Sequence, residues 1–138
     1  MIEKDLGRMA NPRFVEEMIV LADAGQWEEF DKGVLSVCND SNNISWAVKS
    51  GLANSNENIR DLAISIFEQT SLKVLTSDQM SKIIERFERE SNLHLRRKLA
   101  FVLFKYDHKE KNVIDCIQDA IKNDPELSEK ARSLLTQK

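Results

Sequence analysis

The sequence predicts an all-α fold of eight helices grouped in four pairs. Three observations carry that expectation. Four glycines and two prolines in 138 residues are too few turn formers for an all-β domain, while 41% hydrophobic and 31% charged residues make the chain too apolar for disorder. Apolar residues recur at i, i+4, i+7 and i+8, the spacing that paints one face of a helix. One such pattern also repeats: NENIRDLAISIF at 56–67 is echoed 37 residues later by LHLRRKLAFVLF at 93–104, matching Arg60 with Arg97, Leu62 with Leu99, Ala63 with Ala100 and Phe67 with Phe104.

The first pair, residues 12–39, has apolar faces of Phe14, Met18, Leu21 and Ala22, then Phe30, Val34, Val37 and Cys38. The second, 43–70, uses Ile44, Ala47, Val48 and Leu52, then Ile59, Ala63, Ile66 and Phe67. The third, 77–106, opens with Met80, Ile83, Ile84 and Phe87 and continues into the echoed stretch. The fourth, 110–137, shows Val113, Ile114, Ile117, Ala120 and Ile121, then Leu127, Ala131, Leu134 and Leu135. Asn11-Pro12 and Asp124-Pro125 each place a capping residue before a proline suited to a first helical turn. TSDQ at 76–79 reads as a capping box. Short polar breaks separate the helices, so neighbours are expected to run antiparallel. The patterns of the second helices start at 30, 59, 96 and 127, an uneven spacing that argues against tetratricopeptide repeats. The longest interval is explained by the extra segment SLKVLTS. All four pairs are read as one domain, 1–138.

Bulk properties narrow the function classes. The longest apolar runs, MIVLA at five residues and LAFVLF at six, are far short of a membrane span. The opening MIEKDLGRMANP carries acids where an export signal would be basic and then apolar, so a cytoplasmic setting is the expectation. Net charge is −3, with a small local basic excess over 55–112, where 11 basic residues face 9 acidic ones. That is no dense positive footprint for phosphates. Cys38 and Cys116 fall at apolar helical positions and are read as buried free thiols.

The pattern NxxIRxxAxxxF at 56–67 resembles the second helix of a HEAT repeat, and the likeness is strongest over residues 44–106. The resemblance implies a right-handed α-α superhelix of about four HEAT-like pairs, with a concave surface lined by the second helices. It also implies that the early arginine of the second helix, Arg60 or Arg97, reaches an acid in a preceding turn and builds the solenoid. At six residues before each arginine, where the family favours aspartate, stand Asn54 and Ser91. Arg96 occupies the family's β-branched position.

No reactive set is apparent. His94 and His108 sit outside any zinc-binding pattern, and His94-Leu95 and His108-Lys109 lack the His-Glu pairs of helical-repeat iron enzymes such as deoxyhypusine hydroxylase. Gly7, Gly25, Gly33 and Gly51 are scattered singly and form no phosphate loop. Paired acids such as Glu16-Glu17 read as solvated helix faces. No cofactor and no metal are therefore expected.

The reading that remains is a non-enzymatic adaptor binding a protein partner on the concave face. Its candidate contact residues are Arg60, Arg96, Arg97 and Trp46, with self-association through the open ends left as an option. The alternative is a nucleic-acid-binding HEAT-like protein related to DNA glycosylases, suggested by Arg86, Arg89, Arg96, Arg97, Lys98 and Lys105. Glu85, Glu88 and Glu90 interleave with the first of these and disfavour it. Trp27 is a further marker: exposure of its ring would point to a protein ligand.

Overall fold

The computed structural model describes residues 12–71 and 75–136. Among these residues there are eight α-helices and no strand: α1 Pro12–Asp23, α2 Trp27–Val37, α3 Ser41–Trp46, α4 Glu57–Gln69, α5 Ser77–Arg89, α6 Leu93–Lys105, α7 Lys111–Asn123 and α8 Ser128–Thr136. The chain divides into two compact units, Met1–Lys82 and Ile83–Lys138. Each pair of helices read from the sequence contains two of the observed helices. Asn11, the proposed first cap, lies outside the described residues.

In the first unit α4 is the hub, packed by α1, α2 and α3. Eight consecutive residues, Arg60 to Phe67, are buried. The sequence pattern marks only one face of this helix, because a period of 3.6 reports the most apolar side and not how many neighbours surround the rest. Two of its three buried polar residues meet each other within that enclosure: Ser65 Oγ donates to Asp61 Oδ1 at 3.4 Å. Met18 and Ala22 of α1, Phe30 and Val34 of α2, and Ile44, Ala47, Val48 and Leu52 complete the core of this unit.

A π-helical turn, Ala47–Gly51, continues α3. The Leu52 amide donates to the Ala47 carbonyl at 2.9 Å, one residue further back than an α-helix would require. Gly51 permits it. A Cβ there would stand 2.6 Å from Ala63 Cβ and 3.1 Å from the Trp46 ring, so the turn approaches α4 at a distance that only glycine tolerates.

Capping residues start the helices as their chemistry dictates. Asp40 accepts from the Asn42 amide at 2.8 Å. Asn56 accepts from the Asn58 and Ile59 amides, and Asn92 from the Leu95 amide at 3.1 Å. The capping box at α5 is present in both directions, with the Gln79 amide donating to Thr76 Oγ1 and the Thr76 amide donating to Gln79 Oε1, each at 3.0 Å. Asn39 binds the C-terminal end of α4, its Oδ1 accepting from the Thr70 hydroxyl and from the Ser71 amide and hydroxyl.

In the second unit α7 packs against α6 and α8. Leu95, Arg97 and the run Leu99 to Leu103 of α6 are buried, facing Val113, Cys116, Ile117 and Ala120 of α7 among others. Cys38 and Cys116 are free and buried, and burial pushes the Cys116 thiol above its ordinary pKa.

Candidate functional site

The arginines singled out by the repeat pattern have different local environments. Arg60 is 8% exposed. Its Nη1 donates to the Asn54 carbonyl at 3.0 Å and the Ser55 carbonyl at 3.2 Å, so the guanidinium ties the start of α4 to the turn before it. The expected acceptor, the Asn54 side chain, instead takes the Asn56 amide at 2.8 Å. The link upstream therefore runs through backbone oxygens, which are present whatever residue occupies position 54. Arg60 Nη2 also lies 4.0 Å from Glu57 Oε2.

Arg97, 7% exposed, finds two carboxylates downstream. Its Nε donates to Asp119 Oδ2 at 3.1 Å, its Nη2 donates to the same oxygen, and its Nη1 donates to Asp124 Oδ2 at 3.1 Å. One planar guanidinium thus joins α6 to the body of α7 and to the residue that ends it, the fork geometry for which arginine is suited. Burial acts to lower the Arg97 pKa, but the hydrogen bonds and charges of the two aspartates outweigh it and the net displacement is upward. The hydrogen bond from Arg97 holds the Asp119 carboxyl below its ordinary value.

Arg96 points elsewhere. Its Nε donates to the Phe87 carbonyl at 3.1 Å, one of the last carbonyls of α5, and its guanidinium lies 4.5 Å from the centre of the Phe87 ring. Arg86 and Glu90 approach within 3.5 Å, and Arg89 and Glu85 within 3.6 Å. Arg86, Arg89 and Arg97 of the basic cluster thus each sit against an acid.

Trp46 is half-buried, its ring against Gly51. Trp27 opens α2 with 44% of its surface exposed and meets Phe30 edge-on at 5.2 Å between centroids. Eight residues later on the same helix, Leu35 is 57% exposed. Trp27, the exposed Asp31 and Leu35 follow at i, i+4 and i+8, a single ridge on the surface of α2. Leu35 also borders a cleft of about 590 Å³ lined by Ser36, Val37, Asn39, Asp40, Ser41 and Asn43.

The fold assembles one group that spacing in the sequence hides. His94 in the first turn of α6, Asp124 at the end of α7 and Glu126 in the turn before α8 bring one ligand atom each to within 4.8 Å of one another. The sequence places Asp124 as a cap before a first helical turn at Pro125; α8 instead begins at Ser128, and Asp124 Oδ1 accepts from the Leu127 amide at 3.2 Å within the turn that precedes it. Its second role, gathering Arg97 and facing His94, is not legible, because about thirty residues separate it from them.

Comparison of the chain with protein-family models, with curated proteins and with solved structures finds no match in any of the three. What the residues do must therefore be argued from their own geometry.

Proposed function

We propose that this chain is a HEAT-like helical-repeat adaptor that binds a protein partner without chemistry of its own, through the exposed ridge of α2. The observation that carries the proposal is the exposure of Trp27 and Leu35 along that ridge. Large aromatic side chains are favoured at interface hot spots, where their rigid area is desolvated at small entropic cost. Within a HEAT-like arrangement α2 is the second helix of its pair and would belong to the concave face.

Arg60 and Arg97, with their guanidinium groups enclosed, support the repeat architecture in this reading and are less suited to contacting a partner. Arg96 and the half-buried Trp46 stay as secondary contacts. The test is affinity capture from source-cell lysate, with and without nuclease, comparing the wild type with Trp27→Ala, Leu35→Glu and Arg96→Glu variants whose helicity is checked by circular dichroism. A defined protein retained after nuclease treatment and reduced at least tenfold by Trp27→Ala and Leu35→Glu supports the adaptor reading. Capture that disappears with nuclease, or that none of the variants changes, overturns it. Arg97→Glu is unsuitable for this purpose, since it would set a third carboxylate against Asp119 and Asp124.

A further inference from the structure

The turn that joins α7 to α8 brings Asp124 and Glu126 beside the N-terminal turn of α6, where His94 stands. The distance from His94 Nδ1 to Asp124 Oδ2 is 3.6 Å, beyond hydrogen-bond range. It is close to the separation of two ligands on one metal ion: bonds of about 2.0–2.1 Å at a tetrahedral angle place donor atoms roughly 3.4 Å apart. We propose that His94, Asp124 and Glu126 bind a single divalent transition-metal ion, with Zn²⁺ as the best match, through His94 Nδ1 and one oxygen of each carboxylate.

The three residues are suited to the task in different ways. Asp124 is 8% exposed and oriented before any ion arrives, with the Leu127 amide on Oδ1 and Arg97 Nη1 on Oδ2. A carboxylate oxygen has two lone pairs, so the Arg97 contact leaves one of them on Oδ2 for the His94 side. Hydrogen bonds that hold a ligating carboxylate in place are the usual outer support of a metal site. Arg97 would otherwise repel a cation, but Asp119 shares its charge, and Asp119, Asp124 and Glu126 together leave the neighbourhood acidic. His94, with 42% of its side chain exposed, and the exposed Glu126 would close on the ion from the solvent side.

The donor set selects among ions. One imidazole nitrogen with two carboxylate oxygens favours Zn²⁺ over Mg²⁺ or Ca²⁺, which prefer all-oxygen shells. Three protein ligands also leave a fourth position for water or for a group from another molecule. Bound there, the ion would clamp the start of α6 to the α7–α8 turn, reinforcing the Arg97 link with a second tie between the same segments.

The test is a calorimetric titration of the full chain with Zn²⁺ in buffer free of chelators, alongside Mg²⁺. The expected result is one equivalent of Zn²⁺, at least tenfold tighter than Mg²⁺, with affinity reduced at least tenfold in His94→Ala and in Glu126→Gln and retained in His108→Ala. Zn²⁺ should also raise the melting temperature of the wild type, and raise it much less in His94→Ala. Both altered ligands are solvent-accessible, so circular dichroism should find each variant folded, and either one alone suffices to decide. No Zn²⁺ binding by the wild type, equal binding by the folded variants, or loss of binding in His108→Ala would each overturn the assignment.

Discussion

Arg97 lies almost out of solvent, and its positive charge is met there by Asp119 and Asp124. Deleting the guanidinium leaves the buried Asp124 carboxylate without its cation, the situation that makes half of a buried ion pair costly. Arg97→Ala is expected to lower stability by about 3 kcal/mol, the low end for such a change because Asp119 is partly solvated. Urea denaturation monitored by circular dichroism measures it. Arg97→Lys should recover only part of the loss, since a single ammonium cannot span both acceptors as the fork does.

The same contact gives an acid dependence of definite sign. The folded-state pKa of Asp119 is depressed, so the unfolded chain binds the proton more readily, and the contribution is complete above the ordinary carboxylate range. It is lost as pH falls below about 4 and through the depressed value. Thermal melts between neutral pH and pH 3 should therefore lose stability more steeply for the wild type than for Asp119→Asn. Equal slopes would mean that the carboxylate is not held by Arg97 in solution. The sequence leaves Arg97 between two readings, a partner contact and the internal role that the HEAT resemblance implies, and its burial at 7% exposure favours the internal one. Its partners were not legible, because they lie 22 and 27 residues downstream, whereas the repeat analogy directs attention upstream to Ser91.

Among the elements, the helix formed by α3 and its π turn departs most from the periodic reading. The pattern Ile44, Ala47, Val48 and Leu52 correctly marks buried positions, yet nothing in it announces the wider turn. What fixes the turn is a steric relation to another helix, and such relations have no period. Gly51→Ala should cost about 1–3 kcal/mol through overpacking against Ala63. Ala63→Gly in the same chain should return part of that, less roughly 1 kcal/mol for a glycine inside a helix. Chemical denaturation of the two single variants and the double variant tests the coupling. If Gly51→Ala is neutral, the close approach is not retained in solution. The capping box at Thr76 and Gln79 is the opposite case, a local device whose two residues stand three apart and can be read directly.

On the scale of the whole molecule, the all-helical class and the positions of the helices were the most legible feature, because each helix writes an apolar stripe into its own sequence. Burial around α4 and α6 was less so, since both are covered well beyond the stripe that periodicity marks. The chain forms two compact units, and the Arg97 link lies entirely within the second. Arg97→Ala should therefore speed amide hydrogen exchange at Leu99–Leu103 by a larger factor than at Leu62–Phe67. Mass-spectrometric exchange of the full chain measures both peptides at once. Equal acceleration would show instead that the two units open as a single cooperative body.

The contact of Arg97 with Asp119 and Asp124 also has an evolutionary consequence. Because the buried Asp124 carboxylate without its cation is penalised as heavily as the reverse, Arg97 and Asp124 should change together across descendants of a common ancestor, with the more exposed Asp119 less tightly bound to them. An arginine followed at 27 residues by an aspartate would then be inherited as a pair, lost or kept together.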